Sequence, residues 1–129
     1  MVSSQNTSAP VVVIEDDAGA RSALGRLLQA GRFEATLFDS AEAFLASRPD
    51  RPPLCVIVDL QLPGMSGLEL QQRLRGEGVP VPIVVVTGNR SEAIREQALQ
   101  AGCAAFLWKP VSPDDLLTLL RSMDPPPMV

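Results

Sequence analysis

The sequence predicts a doubly wound α/β fold, a five-stranded parallel sheet with helices on both faces. Three observations lead there. Four short apolar runs, rich in β-branched residues and free of polar alternation, recur along the chain, as strands covered on both faces require. Segments with helical spacing lie between them, and three of these end at a glycine. The resulting order, βαβαβαβαβα, places helices on both sides of one parallel sheet once crossovers are right-handed.

Taken in order, Val11-Val12-Val13-Ile14 is the first strand. The spacing of Ala20, Ala23, Leu24, Leu27 and Leu28 predicts a helix, with Gly31 placed as a left-handed C-cap. Glu34-Ala35-Thr36-Leu37-Phe38 alternates apolar with polar, which suits an edge strand with one wetter face. A helix from Ser40 to Ser47 leads to the strand Leu54-Cys55-Val56-Ile57-Val58. Gly67 to Arg75, ended by Gly76, is the third helix, and Ile83-Val84-Val85-Val86 the fourth strand. Ser91 to Ala101, ended by Gly102, precedes the last strand, Ala104-Ala105-Phe106-Leu107-Trp108. The final helix, Pro113 to Met123, has the clearest start. Ser112 can cap it, Pro113 fits its first turn, and Asp114 and Asp115 set negative charge at the positive end of the helix dipole.

A chain of 129 residues suits one domain, read as residues 10–123 between a polar lead (1–9) and a Pro-rich end (124–129) where Pro125-Pro126-Pro127 stops the last helix. Eleven basic against fifteen acidic residues give a net charge of −4, the wrong sign for binding duplex phosphate, so direct nucleic-acid binding is not expected. With no histidine, imidazole-based triads, His-ligated zinc and a phosphohistidine on this chain are excluded. Cys55 and Cys103 read as small core residues rather than a disulfide. No apolar run approaches the roughly 18 residues that span a bilayer, and the start lacks the basic and apolar regions of a signal peptide. A cytoplasmic protein is expected.

Every apolar run is followed at once by a polar residue: Glu15 and Asp16, then Asp59, Thr87 and Lys109. In an open parallel sheet the C-terminal strand ends line one rim, where ligands bind, so these five side chains should converge. Carboxylates about 5 Å apart repel by about 3 kcal/mol per pair at an effective dielectric of 20, and a cation must relieve that. With only oxygen donors the fitting ion is Mg²⁺, with Mn²⁺ a substitute. Lys109 and Thr87 can bind the peripheral oxygens of a tetrahedral anion, which describes phosphoryl transfer with a carboxylate nucleophile. Asp59, alone at a central strand end opposite the Glu15-Asp16 pair, is the candidate nucleophile.

These residues resemble the receiver domain of bacterial two-component response regulators. The likeness rests on Glu15-Asp16-Asp17, the segment from Val58-Asp59 to Ser66-Gly67, Val86-Thr87-Gly88 and Lys109-Pro110, and covers Pro10 to Met123. It implies a flavodoxin-like sheet of order 2-1-3-4-5 and phosphorylation of Asp59 by a sensor histidine kinase. Glu15, Asp16, Asp59 and the backbone carbonyl of Gln61 would hold Mg²⁺. The chain would catalyse only its own phosphorylation and dephosphorylation, and Thr87 and the ring of Phe106 would then shift to alter a surface seen by a partner or output domain. Lys109-Pro110 would be a cis peptide. Arg21 fixes the register of the acidic pair, which leaves Asp17 outside it, solvated or capping a helix. The segments around Phe38 and Gly67 are most similar to receivers that carry helix-turn-helix outputs.

Other readings compete. A haloacid-dehalogenase-type phosphatase also joins a strand-end Asp to Thr, Lys and Mg²⁺, but needs a general acid where this chain has Gln61. A dinucleotide- or flavin-binding module would need a glycine-rich phosphate turn, and none occurs. A pseudo-receiver serving only protein contacts would tolerate lost reactive positions, yet all are filled. In the last helix, Leu116, Leu117, Leu119, Leu120 and Met123 form a broad stripe, read either as a well-buried helix or as a homodimer or partner surface.

Overall fold

The computed structural model describes residues 9–48, 51–78 and 81–123. Five strands, β1 (Val11–Ile14), β2 (Ala35–Phe38), β3 (Cys55–Asp59), β4 (Ile83–Thr87) and β5 (Ala105–Trp108), form one parallel sheet in the order β2-β1-β3-β4-β5. They alternate with α1 (Ala18–Ala30), α2 (Ala41–Ala46), α3 (Gly67–Gly76), α4 (Glu92–Gln100) and α5 (Pro113–Met123). The doubly wound reading therefore holds. The Pro-rich end and nearly all of the polar lead lie outside the described residues.

Period-2 geometry explains why the strands do not alternate in polarity. Val11 and Val13, with Cys55, Ile57, Val84 and Val86, pack against Leu24 and Leu28 of α1 and Leu116 and Leu120 of α5. Val12, Ile14, Val56, Val58 and Val85 face the other way, onto Phe44, Leu70, Leu74 and Ala98 of α2, α3 and α4. Each buried aliphatic side chain contributes roughly 1.5–3 kcal/mol, so both faces must be apolar for the sheet to be held between two helical layers. β1, β3 and β4 are buried throughout, whereas β5 is only half-buried along its length. β5 is the second edge of the sheet, and its continuous apolar run does not reveal that.

Helix starts follow their caps. The side chains of Asp17, Ser40, Ser66 and Ser91 accept the amides of Ala20, Ala43, Glu69 and Ile94, each such cap contributing about 1 kcal/mol. Asp17 is thus a capping acid outside the acidic pair. Ser112 caps α5, its Oγ accepting the Asp115 amide at 3.3 Å.

Helix ends differ in part from expectation. Gly31 has φ −84° and is not left-handed; Arg32, at φ 70°, takes that conformation. A Cβ at 31 would meet the side chain of Leu117, which would have to shift to admit it. α3 runs through Gly76 to a left-handed Gly78, while Gly102 is left-handed as expected. In the α5 stripe Leu116 and Leu120 are buried, while Leu117, Leu119 and Met123 pack against the core and stay partly exposed.

Candidate functional site

The C-terminal ends of β1, β3, β4 and β5 deliver the five expected residues to one rim. Asp59 is the last residue of β3 and Thr87 the last of β4, both buried; Glu15 directly follows β1 and Lys109 directly follows β5. Lys109 is the chain's single lysine, and its ammonium joins two of the acids. Nζ donates to Glu15 Oε1 at 2.6 Å and to Asp59 Oδ2 at 2.7 Å. Burial alone would lower the pKa of this amine. The hydrogen bonds and charges of Asp59 and Glu15 outweigh burial and hold it above the usual 10.5.

The other oxygen of each of these two acids accepts from the backbone. Asp59 Oδ1 accepts the Gln61 amide at 2.9 Å, and Glu15 Oε2 accepts the Asp17 amide at 3.2 Å. Arg21 donates to the carbonyls of Glu15, at 3.0 Å, and Asp16, at 3.4 Å, pinning the turn that carries the pair. One carboxylate oxygen from each of Glu15, Asp16 and Asp59 lies within 4.8 Å of the others. Three carboxylates and one ammonium leave two negative charges, which one divalent ion balances. The donors are oxygen only, as a hard cation prefers, so the residues present fit Mg²⁺.

Gly67 brings the start of α3 against this rim. A Cβ at 67 would lie 2.8 Å from the carbonyl oxygen of Asp59, so only glycine permits the approach. The loop between them is tied at its far end by Glu42 of α2, whose Oε2 accepts the Met65 amide at 2.8 Å. That hydrogen bond lowers the pKa of Glu42.

The Thr87 hydroxyl is engaged within its own loop, Oγ1 accepting the Asn89 amide at 3.1 Å, while the Thr87 carbonyl accepts the Lys109 amide at 2.9 Å. Phe106 is half-buried, packed on the α3–α4 side of the sheet and edge-on to Trp108, with centroids 4.8 Å apart. Lys109-Pro110 is cis, as the resemblance implied. Beside Glu15 and Lys109 a groove of about 610 Å³ opens between Leu24 and Leu27 of α1 and Val111 and Pro113.

The sequence reading missed Glu42, Asn89 and Arg90. Asn89 stands in a visible turn, so only its bond to Thr87 was hidden. Glu42 and Arg90 act on Met65 and Lys109, across separations of 23 and 19 residues, and nothing local marks such contacts.

A five-stranded 2-1-3-4-5 sheet with an acidic cluster and a lysine at one rim defines a receiver, and the chain belongs to the response regulator receiver domain family, whose profile matches residues 11–121. It is thus part of the two-component signalling class. Among its relatives, the transcriptional regulatory protein FixJ of Bradyrhizobium diazoefficiens is 37% identical over 116 residues, covering 90% of this chain and 57% of that protein. The response regulator protein TmoT of Ectopseudomonas mendocina is 31% identical over 87% of this chain and 51% of its own. The chain spans about half the length of the curated relatives it matches. In structure it is similar to FixJ-N, with a TM-score of 0.80, 30% identity and coverage of 91% of this chain and 93% of that one. Full-length FixJ from B. japonicum superposes with a TM-score of 0.82 at 36% identity, over 91% of this chain and 58% of that one.

Proposed function

We propose that Asp59 is the phosphoacceptor of this receiver and that its phosphorylation operates the switch. The observation that carries the reading is the Lys109 ammonium bridging Glu15 and Asp59 at a rim that also holds Asp16. In the transfer, an Asp59 carboxylate oxygen attacks phosphorus on the phosphohistidine of a sensor kinase. The P–N bond breaks, its electron pair stays with the imidazole, and an acyl phosphate is left on Asp59. Glu15, Asp16, Asp59 and the Gln61 carbonyl would hold Mg²⁺, or Mn²⁺ in its place, which supplies charge neutralisation to the transferring group. Lys109 meets the charge that the phosphoryl group adds, and Gln61, through its amide, orients the carboxylate.

The family's switch then maps onto Thr87 and Phe106: the hydroxyl exchanges its bond with Asn89 for one to the phosphoryl group, and the ring follows. The output is a partner or a further domain, and the net charge of −4 supports no role for this domain in binding nucleic acid directly. Among the described residues no helix is long and apolar enough to cross a membrane, in keeping with a receiver working in the cytoplasm. Residues 10–123 are the receiver unit, flanked by the polar lead and the Pro-rich end. A homodimer or partner contact through the C-terminal helix region remains part of this reading, since Leu117, Leu119 and Met123 pack against the core but are only partly buried.

Incubation with acetyl phosphate and Mg²⁺ tests the reading: one phosphoryl group per chain is expected, none on Asp59→Asn and far less on Asp16→Asn. Equal labelling of Asp59→Asn would refute it. Turnover of small phosphate esters by the unaltered protein would favour a phosphatase instead.

A further inference from the structure

Lys109 stands at the centre of the site, and its backbone is gripped from both sides. Its amide donates to the Thr87 carbonyl at 2.9 Å, and its carbonyl accepts from Arg90 Nη2 at 3.2 Å. Arg90 lies three residues beyond Thr87 in the loop between β4 and α4, and its guanidinium carbon sits 5.2 Å from the centroid of the Trp108 ring. That ring in turn packs edge-on against Phe106, at 78°. One planar group therefore clamps the β4–α4 loop to the end of β5 by two contacts that lysine, a point charge, could not make together.

We propose that Arg90 is a positioning residue, which sets the Lys109 ammonium between Glu15 and Asp59 and joins the loop after Thr87 to the Trp108–Phe106 pair. Each contact is weak at an exposed side chain, but both act on the residue whose amine must stay within hydrogen-bond reach of two carboxylates. Without the clamp the Lys109 carbonyl loses its donor and the β4–α4 loop its tie to Trp108, so only the Thr87 bond and the strand pairing hold the end of β5, and the ammonium is less firmly seated. The proposal rests on reading Lys109 as the amine that meets the phosphoryl group, though its first readout does not.

The composition makes the test clean, because the chain has a single lysine and a single tryptophan. In metal-free, ¹⁵N-labelled protein at low temperature, the only lysine ammonium signal belongs to Lys109. Its proton exchange with water is expected to be slow in the unaltered protein and about threefold faster or more in Arg90→Met. With Mg²⁺ and acetyl phosphate, Arg90→Met is expected to take up phosphate about fivefold more slowly, with the Mg²⁺ midpoint of Trp108 emission unchanged within about twofold.

An ammonium signal identical in the unaltered protein and Arg90→Met would overturn the proposal, and so would a native ammonium exchanging as fast as free lysine. A slower uptake that merely tracks a lost melting temperature would overturn it too. If the unaltered protein accepts no phosphate while the ammonium still responds to Arg90→Met, the phosphoacceptor reading fails and the positioning role stands.

Discussion

Replacing Lys109 by Met removes the cation that bridges Glu15 and Asp59 while keeping the length of its stem. Glu15 and Asp59 have side chains 2% and 8% exposed, so the variant leaves two desolvated carboxylates facing each other and Asp16. At 4.8 Å, the outer limit of their oxygen separations, each pair repels by about 3.5 kcal/mol at an effective dielectric of 20. Breaking a buried ion pair typically costs about 3–5 kcal/mol. Lys109 is itself 30% exposed, and the water it admits scales the expected loss down to about 2–3 kcal/mol. For a domain of this size that is about 10 °C in melting temperature. Urea unfolding followed by Trp108 emission and by circular dichroism, in chelator-treated buffer at pH 7, measures it. Mg²⁺ at about 10 mM should restore at least half the loss, because the ion meets no ammonium in the variant, and should stabilise the unaltered protein less. A metal-free loss below about 0.5 kcal/mol, or the same Mg²⁺ response in both proteins, would refute the reasoning.

Three further outcomes are expected. Gly67→Ala should cost about 1–3 kcal/mol, since the new methyl meets the Asp59 carbonyl, and should slow phosphate uptake more than Gly76→Ala, where a Cβ meets nothing within 4 Å; urea titration and phosphate labelling check both. Burial pushes the Cys55 thiol up to about 12 from an ordinary 9.0, so above pH 9 the unfolded chain releases a proton that the folded one keeps, and stability falls between pH 9 and 12. Lys109, raised above 10.5, keeps its contribution below that pH and loses it only beyond; Cys55→Val should therefore shrink the earlier part of the alkaline decline in unfolding free energy, to which the partly buried Cys103 thiol, also raised, still contributes, and leave the later part. Glu42→Ala should speed hydrogen exchange of the Met65 amide, which loses its acceptor, and leave the Gln61 amide protected by Asp59.

The strands were legible because burial on both faces writes itself into composition: Val11 to Ile14 and Ile83 to Val86 have no polar face to show. Position within the sheet does not. The run from Ala104 to Trp108 looks like the others, yet β5 has a neighbour on one side only and stays half-exposed. The glycines show a similar limit. Gly102 ends α4 through its own backbone, which local sequence announces, whereas Gly31 answers to Leu117, 86 positions further on, which local sequence cannot. The acids and Lys109 could be placed at one rim from strand ends alone. That the amine would grip Glu15 and Asp59 together, leaving Asp16 exposed, depends on side-chain reach across β1, β3 and β5, which only coordinates supply.

All other cationic side chains in this protein are arginines, so the lone amine outside the chain's start is the one locked between two acids. Beyond the amine at the chain's start, amine-directed dyes, cross-linkers and resin couplings would either spare the folded domain or strike the place where it works. Cys103, half-buried on the helical flank and away from the rim, offers the safer handle for attaching a probe or a surface.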